Sequence, residues 1–208
     1  MRWVTGGASW TSGGRGNVGN DVTSIAERMP VEVVLRDGTP AMIWPLLPTD
    51  RDALRSAYDR LSVQSRRHRF LGAVDHLDDA MLRVLVDGVD GRRHIALTLV
   101  ALPTDGPERP VGVARLVQLP DEADAAEIAF TVADDWHGRG VASALAAALL
   151  ELRPQEVRRL RAQVAADNRA SITLLRNLGH TTVAVVHPGV LEVTVELETS
   201  RALLALAG

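Results

Sequence analysis

Short apolar runs, rich in valine, isoleucine and leucine, predict a series of β-strands along this chain. Ahead of the central runs, VEVVLRDGTPAMIW predicts a hairpin whose turn contains Asp37 and Gly38. Six further runs, three of them forming a central meander, have the length and composition of strands: HIALTLVAL, VGVARLVQL, AEIAFTV, LRAQVAA, TTVAVV and LEVTVELE.

Apolar residues at helical spacing predict four helices between these strands. Asp50 can cap the first helix, and Gly88 and Gly179 can end two of the others. The helical segments are RDALRSAYDRLS, LDDAMLRVLVDG, the run that carries Val141, Leu145 and Leu149, and the run that carries Ile172, Leu175 and Leu178. The elements together predict a mixed α/β (α+β) fold.

Composition narrows the class of protein. The chain has 208 residues, of which 46% are hydrophobic, and this predicts one packed domain. Residues 1–29, rich in glycine, serine and asparagine, are interpreted as a flexible tail before a domain at 30–208. The net charge of −3 speaks against a nucleic-acid partner. No apolar run is long enough to span a membrane, so a cytoplasmic location is expected.

Cysteine and histidine usage excludes several kinds of chemistry. The absence of cysteine excludes disulfides, thiolate metal sites and a cysteine nucleophile. The six histidines show no metal-binding spacing, so no metal is expected. The basic run formed by Arg66, Arg67, His68 and Arg69 is interpreted as a solvated helix face; if functional, it would flank the acceptor entrance or a ligand phosphate.

The segment DDWHGRGVASAL joins the last meander strand to a helix and predicts a phosphate site. A helix start presents unpaired backbone N–H groups and the positive end of the helix dipole. Gly138 and Gly140 leave that backbone bare, and Arg139 adds a positive charge. A tight turn that binds no ligand is the alternative interpretation.

This loop does not fully match either of two known phosphate-binding motifs, the P-loop and the dinucleotide motif. The P-loop requires lysine followed by serine or threonine, where this chain has Val141 and Ala142. The dinucleotide motif G-x-G-x-x-G fits with one substitution, at Ser143, and Asp167 stands where a ribose-binding acid would be. However, an antiparallel meander precedes the loop, which the dinucleotide fold does not require.

A third phosphate-binding pattern fits this glycine loop best. The segment VADDWHGRGVASAL resembles the acyl-coenzyme A loop of the GNAT superfamily of N-acyltransferases, with His137 in place of the usual glutamine or arginine. NRASITLLRNLGH resembles the later helix of that family, which begins at Asn168. The segment RLSVQSRRHRFLG resembles part of the bacterial protein lysine acetyltransferases. The resemblance covers about residues 31–198.

The resemblance implies a GNAT fold, with a mixed, mostly antiparallel sheet, two splayed parallel central strands and flanking helices. It implies acetyl-coenzyme A, or a close acyl analogue, as cosubstrate. The pantetheine arm would pair with the strand AEIAFTV, and the diphosphate would lie on the glycine loop. The coenzyme-binding residues expected on this basis are Val132, His137, Gly138, Arg139, Gly140, Val141, Ala142, Ser143 and Asn168.

Glu127 is the candidate catalytic residue. An amine must lose its proton to attack a thioester, and a lysine amine is almost fully protonated at neutral pH. Glu127 stands in an apolar strand, where an acid commonly serves as base in the resembling enzymes. The usual tyrosine acid is absent, since its position is Leu175. We expect an amine acceptor, with protein lysine as first choice, and a monomer or homodimer. A small-molecule amine acetyltransferase and a non-catalytic coenzyme A sensor are the alternatives.

Overall fold

The structure, a computed structural model, describes residues 25–197. The tail prediction for residues 1–24 therefore lies outside the described residues. For residues 25–29 the structure differs from that prediction. Ile25–Arg28 form a short helix, α1, and the side chains of Ile25 and Met29 pack against the hydrophobic core.

The predicted strands and helices are all present. Of the predicted helices, LDDAMLRVLVDG differs in detail, because its second half, Arg83–Asp87, is a π-helical turn that ends at Gly88. A further short helix contains the whole basic run. The elements after α1 are β1 (Val31–Val34), β2 (Pro40–Pro45), α2 (Arg51–Asp59), α3 (Val63–Phe70), α4 (Asp79–Leu82), β3 (His94–Ala101), β4 (Arg109–Gln118), β5 (Ala125–Val132), α5 (Val141–Leu152), β6 (Arg159–Ala165), α6 (Arg169–Arg176), β7 (His180–His187) and β8 (Val190–Glu196).

The eight strands form a single sheet in the order β1-β2-β3-β4-β5-β6-β8-β7. Every neighbouring pair is antiparallel except β5 and β6, which are parallel. This is the mixed, mostly antiparallel sheet that the family resemblance implied. The parallel pair lies near the centre of the sheet, where α5 makes the crossover that a parallel connection requires.

The parallel pair separates soon after it begins. Its paired residues run only from Ala125 with Arg159 to Glu127 with Arg161, although both strands continue for several residues beyond. The strands therefore splay apart and leave a notch between their carboxyl ends, as the family resemblance implied. Glu127 occupies the last paired position, at the closed end of this notch.

Two apolar layers cover the sheet, one on each face. On one face, strand residues such as Leu97, Leu116 and Ile128 pack with Leu145 and Leu149 of α5. On the other face, a smaller cluster joins α2, α4 and the loops around them, with Tyr58, Leu61, Leu82 and Val86 among its buried members. Strand alternation produces this division, since successive side chains point to opposite faces.

Within residues 25–197, no helix is long and apolar enough to cross a membrane. In the same part of the chain, no group of three or more histidine, aspartate or glutamate side chains is placed to hold a metal ion.

Candidate active site

A cleft of about 530 Å³ occupies the notch between β5 and β6. Residues of β5, β6, α3, α5 and α6 line it, so both sequence motifs meet in one place. Nine of the predicted site residues lie in its wall: Glu127, Val132, His137, Gly138, Gly140, Val141, Ala142, Ser143 and Asn168. The remaining one, Arg139, lies outside this lining.

The glycine loop presents backbone at the far end of the cleft. Gly138 and Gly140 adopt positive φ angles of 76° and 91°, which side-chain-bearing residues rarely take. Gly140 is the N-cap of α5 and, without a side chain, leaves the first helical turn uncapped. Since the first N–H groups of a helix have no intrahelical acceptor, the turn from Val141 to Ser143 offers donors to the cleft. An uncapped helix start of this kind is a geometry that can bind an anion, and the phosphate site expected here stays a prediction.

The two glycines have different surroundings. A Cβ atom added to Gly138 would meet nothing within 4 Å, so this position faces open space in the cleft wall. A Cβ atom added to Gly140 would lie 3.0 Å from Cγ of Arg36. Gly140 therefore lets α5 begin close beside the β1–β2 hairpin, whereas Gly138 keeps the backbone open to a ligand.

Arg139, which the sequence predicts to add positive charge to the loop, forms an ion pair with the turn of the hairpin. Its guanidinium donates to Asp37 at 3.1 Å and lies 4.6 Å from the ring centroid of Trp136. Its backbone carbonyl accepts from the N–H of Arg36 at 2.9 Å. The Arg139 side chain thus fastens the glycine loop to the turn of the hairpin.

His137 and Asn168 hold backbone near the cleft. Nε2 of His137 lies 3.1 Å from the carbonyl oxygen of Val132, and because a carbonyl only accepts, Nε2 is the protonated nitrogen. The side-chain oxygen of Asn168 accepts from the N–H of Ser171 at 3.1 Å and so caps α6. Both residues shape the ends of the two splayed strands.

Glu127 is exposed to the cleft at the closed end of the notch. The pairing of β5 with β4 runs without a break, so Glu127, Ala129 and Thr131 share one face while Ile128 is buried on the other. This carboxylate is placed to accept a proton from a group bound between the strands.

No tyrosine is available as a proton donor in this cleft. Leu175, at the position of the usual tyrosine, is buried and has no ionisable group. The chain's single tyrosine, Tyr58, donates its hydroxyl to the carbonyl of Val74 at 2.7 Å. Burial also raises the pKa of Tyr58, which makes its proton still harder to release.

Helix α3 crosses the open side of the notch and is fastened at both ends. At its start, Asp134 accepts from the Ser62 N–H at 2.8 Å, the Ser62 hydroxyl at 2.7 Å and the Ser65 hydroxyl at 2.6 Å. At its other end, Nε2 of His68 lies 3.1 Å from Asp167. Asp134 follows β5 and Asp167 follows β6, so α3 links the carboxyl ends of the two splayed strands.

Hydrogen bonds keep Asp134 ionised. Although partial burial works in the opposite direction, the donors Ser65 and Ser62 hold the pKa of Asp134 below its usual value. Sequence reasoning missed this contact. The available signal was the pair of serines three residues apart at the start of α3, within the segment used for the resemblance. Such a pair presents two hydroxyls on one side of the first helical turn, where both can donate to one acceptor.

The basic run is not a uniformly solvated face. Arg66 donates to the backbone carbonyls of Asp59, Leu61 and Asp75 and holds the loop around α3. His68 and Arg69 line the cleft, and only Arg67 is largely exposed. Helical spacing explains the difference, since four consecutive residues point in four directions around the axis.

Comparisons with known proteins agree with this geometry. The family model described as the acetyltransferase (GNAT) domain matches residues 42–181, and the chain therefore belongs to the GNAT acetyltransferase family. An acetyltransferase of Pseudomonas aeruginosa is 34% identical over 146 residues, which cover 70% of this chain and 77% of that protein. The acetyltransferase Pat of Mycolicibacterium smegmatis is 33% identical over 152 residues, 72% of this chain but only 44% of Pat.

Solved structures give the same family. The crystal structure of the GNAT domain of S. lividans PAT superposes with a TM-score of 0.67 at 28% identity, over 81% of this chain and 97% of that one. A cAMP-binding acyltransferase from Mycobacterium smegmatis superposes with a TM-score of 0.53 at 26% identity, over 82% of this chain and 48% of that protein. The match thus spans about half the length of these longer mycobacterial relatives.

Proposed function

We propose that the protein transfers an acetyl group from acetyl-coenzyme A to an amine, with a protein lysine as the acceptor. The observation that carries this proposal is the notch: β5 and β6 part directly after Glu127, and the bare backbone of the glycine loop lies in the same cleft. One cleft therefore joins a candidate base to a candidate site for the coenzyme's diphosphate.

The residues present fit an acyl-coenzyme A molecule. The uncapped first turn of α5 and the open position at Gly138 favour the diphosphate. Under the proposal, Val141, Ala142 and Ser143 hold the diphosphate through their N–H groups, and Arg139 contributes its backbone alone. The unpaired edge of β5 up to Val132 holds the pantetheine arm, with His137 and Asn168 beside it. When bound, the coenzyme supplies an acyl group activated as a thioester.

Glu127 has the proposed role of general base. It accepts a proton from the acceptor's ammonium group, directly or through a water molecule, so that the free amine attacks the thioester carbonyl. The new amide bond forms as the carbon–sulfur bond breaks, and the coenzyme leaves as its thiolate. The attacking nitrogen loses its second proton as the amide forms, and a water molecule relays that proton to the thiolate, since Leu175 has no proton to give and Tyr58 is held elsewhere.

Two observations favour a protein lysine over other acceptors. The segment RLSVQSRRHRFLG resembles the protein lysine acetyltransferases, and it forms α3 at the mouth of the cleft. The relatives Pat and PAT match over most of this chain. A small-molecule amine is the second candidate, favoured by the partial enclosure of the cleft by α3.

Free-thiol release tests the proposal. The purified protein is incubated with acetyl-coenzyme A and either lysine peptides or small amines, and the thiol and the acetylated product are measured together. We expect thiol release that depends on the acceptor, with acetyl-lysine as product. Tight coenzyme A binding without turnover on any amine would contradict the proposal and identify a coenzyme A sensor.

A further inference from the structure

Arg69 places a positive charge inside the cleft, and it forms no ion pair within residues 25–197. It lies near the end of α3, half-buried, with its guanidinium 4.7 Å from the ring centroid of Phe70. It lines both the main cleft and a smaller cavity between α2 and the β4–β5 face. Within the described part of the chain, its side chain makes no hydrogen bond and no ion pair, although other arginines of α3 do.

Arg115 is a second buried cation beside it. Only 8% of this residue is exposed, and it also lines the smaller cavity. Its Nη1 donates to the carbonyl of Leu85 at 3.1 Å and to Nε2 of His94 at 3.0 Å, so its protein contacts are to neutral groups. Arg115 pairs with Ala129, which places it diagonally across from Glu127, with Cα atoms roughly 7–8 Å apart.

The local charges do not balance. Among the described residues, Glu127 is the carboxylate whose charge acts on both guanidinium groups, and neither group forms a direct ion pair with it. Burial lowers the pKa of Arg69 and of Arg115, and the Glu127 charge offsets this only in part. Both guanidinium groups still remain protonated at neutral pH. A buried, uncompensated cation is costly, and proteins ordinarily pair such charges.

The charge of Glu127 acts on both guanidinium groups, so a balancing anion is expected beside Glu127. Val132 stands five positions after Glu127, and at about 3.3 Å per strand residue it lies roughly 16 Å from Glu127, before the glycine loop begins. An anion beside Glu127 is therefore separate from a diphosphate on that loop and would arrive with the groups that react there.

We propose that Arg69, supported by Arg115, binds a carboxylate of the reacting partners beside Glu127. Two sources share this chemistry: an acidic group close to the acceptor's amine, such as a glutamate that flanks the target lysine, or the far carboxylate of a dicarboxylic acyl group. Assigning the carboxylate to one of these two sources rests on the acyl transfer proposed above. The existence of the carboxylate subsite does not rest on it. Arginine suits this role because its planar fork binds a carboxylate through two parallel hydrogen bonds.

Direct binding tests the subsite without turnover. The probe is glutarate, titrated by NMR into the full-length protein saturated with coenzyme A. The wild type is compared with Arg69→Gln and with Arg60→Gln, a matched control that loses the same charge from an exposed residue outside both cavities. We expect Arg69→Gln to weaken glutarate binding roughly 10-fold or more, which is the loss of one charge-assisted hydrogen-bond pair. Arg60→Gln should bind as the wild type does.

Transfer assays then identify the source. Lysine peptides with a flanking glutamate or glutamine form one pair of substrates, and succinyl- and butyryl-coenzyme A form the other. If Arg69→Gln raises KM only for the glutamate peptide, the carboxylate belongs to the acceptor; if it does so only for succinyl-coenzyme A, the carboxylate belongs to the acyl group. Arg69→Lys should restore part of the loss.

Two results would overturn the inference: glutarate affinity that is the same in the wild type and Arg69→Gln, or equal losses on charged and neutral substrates. A protein that binds glutarate through Arg69 but acylates no amine would instead contradict the proposed transfer and leave the subsite standing.

Discussion

Glu127 is placed at the last position where β5 pairs with β6, and a glutamine there keeps the shape while removing the carboxylate. We predict that Glu127→Gln lowers kcat about 100-fold at pH 7, the lower end of what general-base assistance contributes. Coenzyme affinity should stay unchanged, since the glycine loop is far along the strand. Activity should recover toward pH 10, where the acceptor loses its proton unaided.

The measurement is kcat as a function of pH, with calorimetry for the coenzyme. Glu122→Gln is the control, because Glu122 pairs with Arg161 at 2.7 Å and lies outside the cleft lining. It should keep the kcat of the wild type. Full kcat in Glu127→Gln at pH 7, with chemistry rate-limiting, would exclude Glu127 as the base.

A second residue-level prediction concerns Gly138, and Gly189 is its matched control. Both have a positive φ, 76° and 79°, and a Cβ added to either meets nothing within 4 Å. Alanine at either position should therefore cost a similar ~1–2 kcal/mol in the free energy of unfolding. Only Gly138→Ala places a methyl group on the backbone that faces the cleft.

We accordingly expect Gly138→Ala to weaken coenzyme A binding about 10-fold and Gly189→Ala to leave it unchanged. Urea unfolding measures the shared cost, and calorimetry measures the affinity. Equal affinities in the two variants would remove the glycine loop from the binding site. Gly140 is less informative, because a side chain there would also contact Arg36.

At the scale of elements, α3 explains why two separate sequence motifs occur together. Ser62 and Ser65 start the helix, and the residue that accepts their hydrogen bonds, Asp134, begins the glycine-loop segment. The sequence displays both motifs but not their contact, since 72 residues separate Ser62 from Asp134. In the same way, the salt bridge between Arg139 and Asp37 joins residues 102 positions apart, so local pattern could not show that this charge was already paired.

Asp134 gives this element a pH dependence. Its pKa is lowered in the folded protein by hydrogen bonds from Ser65 and Ser62 that prevail over partial burial. A carboxyl group whose pKa is lowered by folding stabilises the fold at pH values above its pKa in the unfolded chain, which is about 4. This stabilisation is lost as the pH falls through the pKa of the folded protein. We predict that Asp134→Asn is less stable by roughly 1 kcal/mol at pH 7 and that the difference shrinks below pH 4.

Urea midpoints of the wild type and Asp134→Asn, compared between pH 7 and pH 3, measure this difference. The double variant with Ser65→Ala is the control, because the cost of Asp134→Asn should be smaller once a donor is already gone. A stability difference that does not change with pH would show that the Asp134 charge plays no part in fastening α3.

At the scale of the whole molecule, most of the fold could be predicted from the sequence. The separation of β5 from β6 could not be predicted from the local residue pattern. Apolar runs and turn residues predicted the eight strands. The family resemblance implied that two parallel central strands, β5 and β6, splay apart. Nothing in the residues of β5 and β6 themselves shows that pairing stops after Glu127. Pairing is a contact between distant segments, so the residue pattern along one strand does not reveal where the pairing ends.

The last prediction concerns the order of events in the whole cleft. The chain has no cysteine to carry an acyl group from a thioester, and Glu127 shares one cleft with the glycine loop. Both substrates should therefore be bound together, and the amine should attack the thioester directly. Initial rates measured over a grid of acetyl-coenzyme A and acceptor concentrations should give intersecting double-reciprocal lines. Mass spectrometry of protein quenched after exposure to acetyl-coenzyme A alone should show no acetyl-enzyme that an added acceptor then consumes. Parallel lines, together with such an intermediate, would establish a two-step route and would move the nucleophile to a hydroxyl or imidazole of the cleft, with Ser65, His68 and His137 the side chains to replace first.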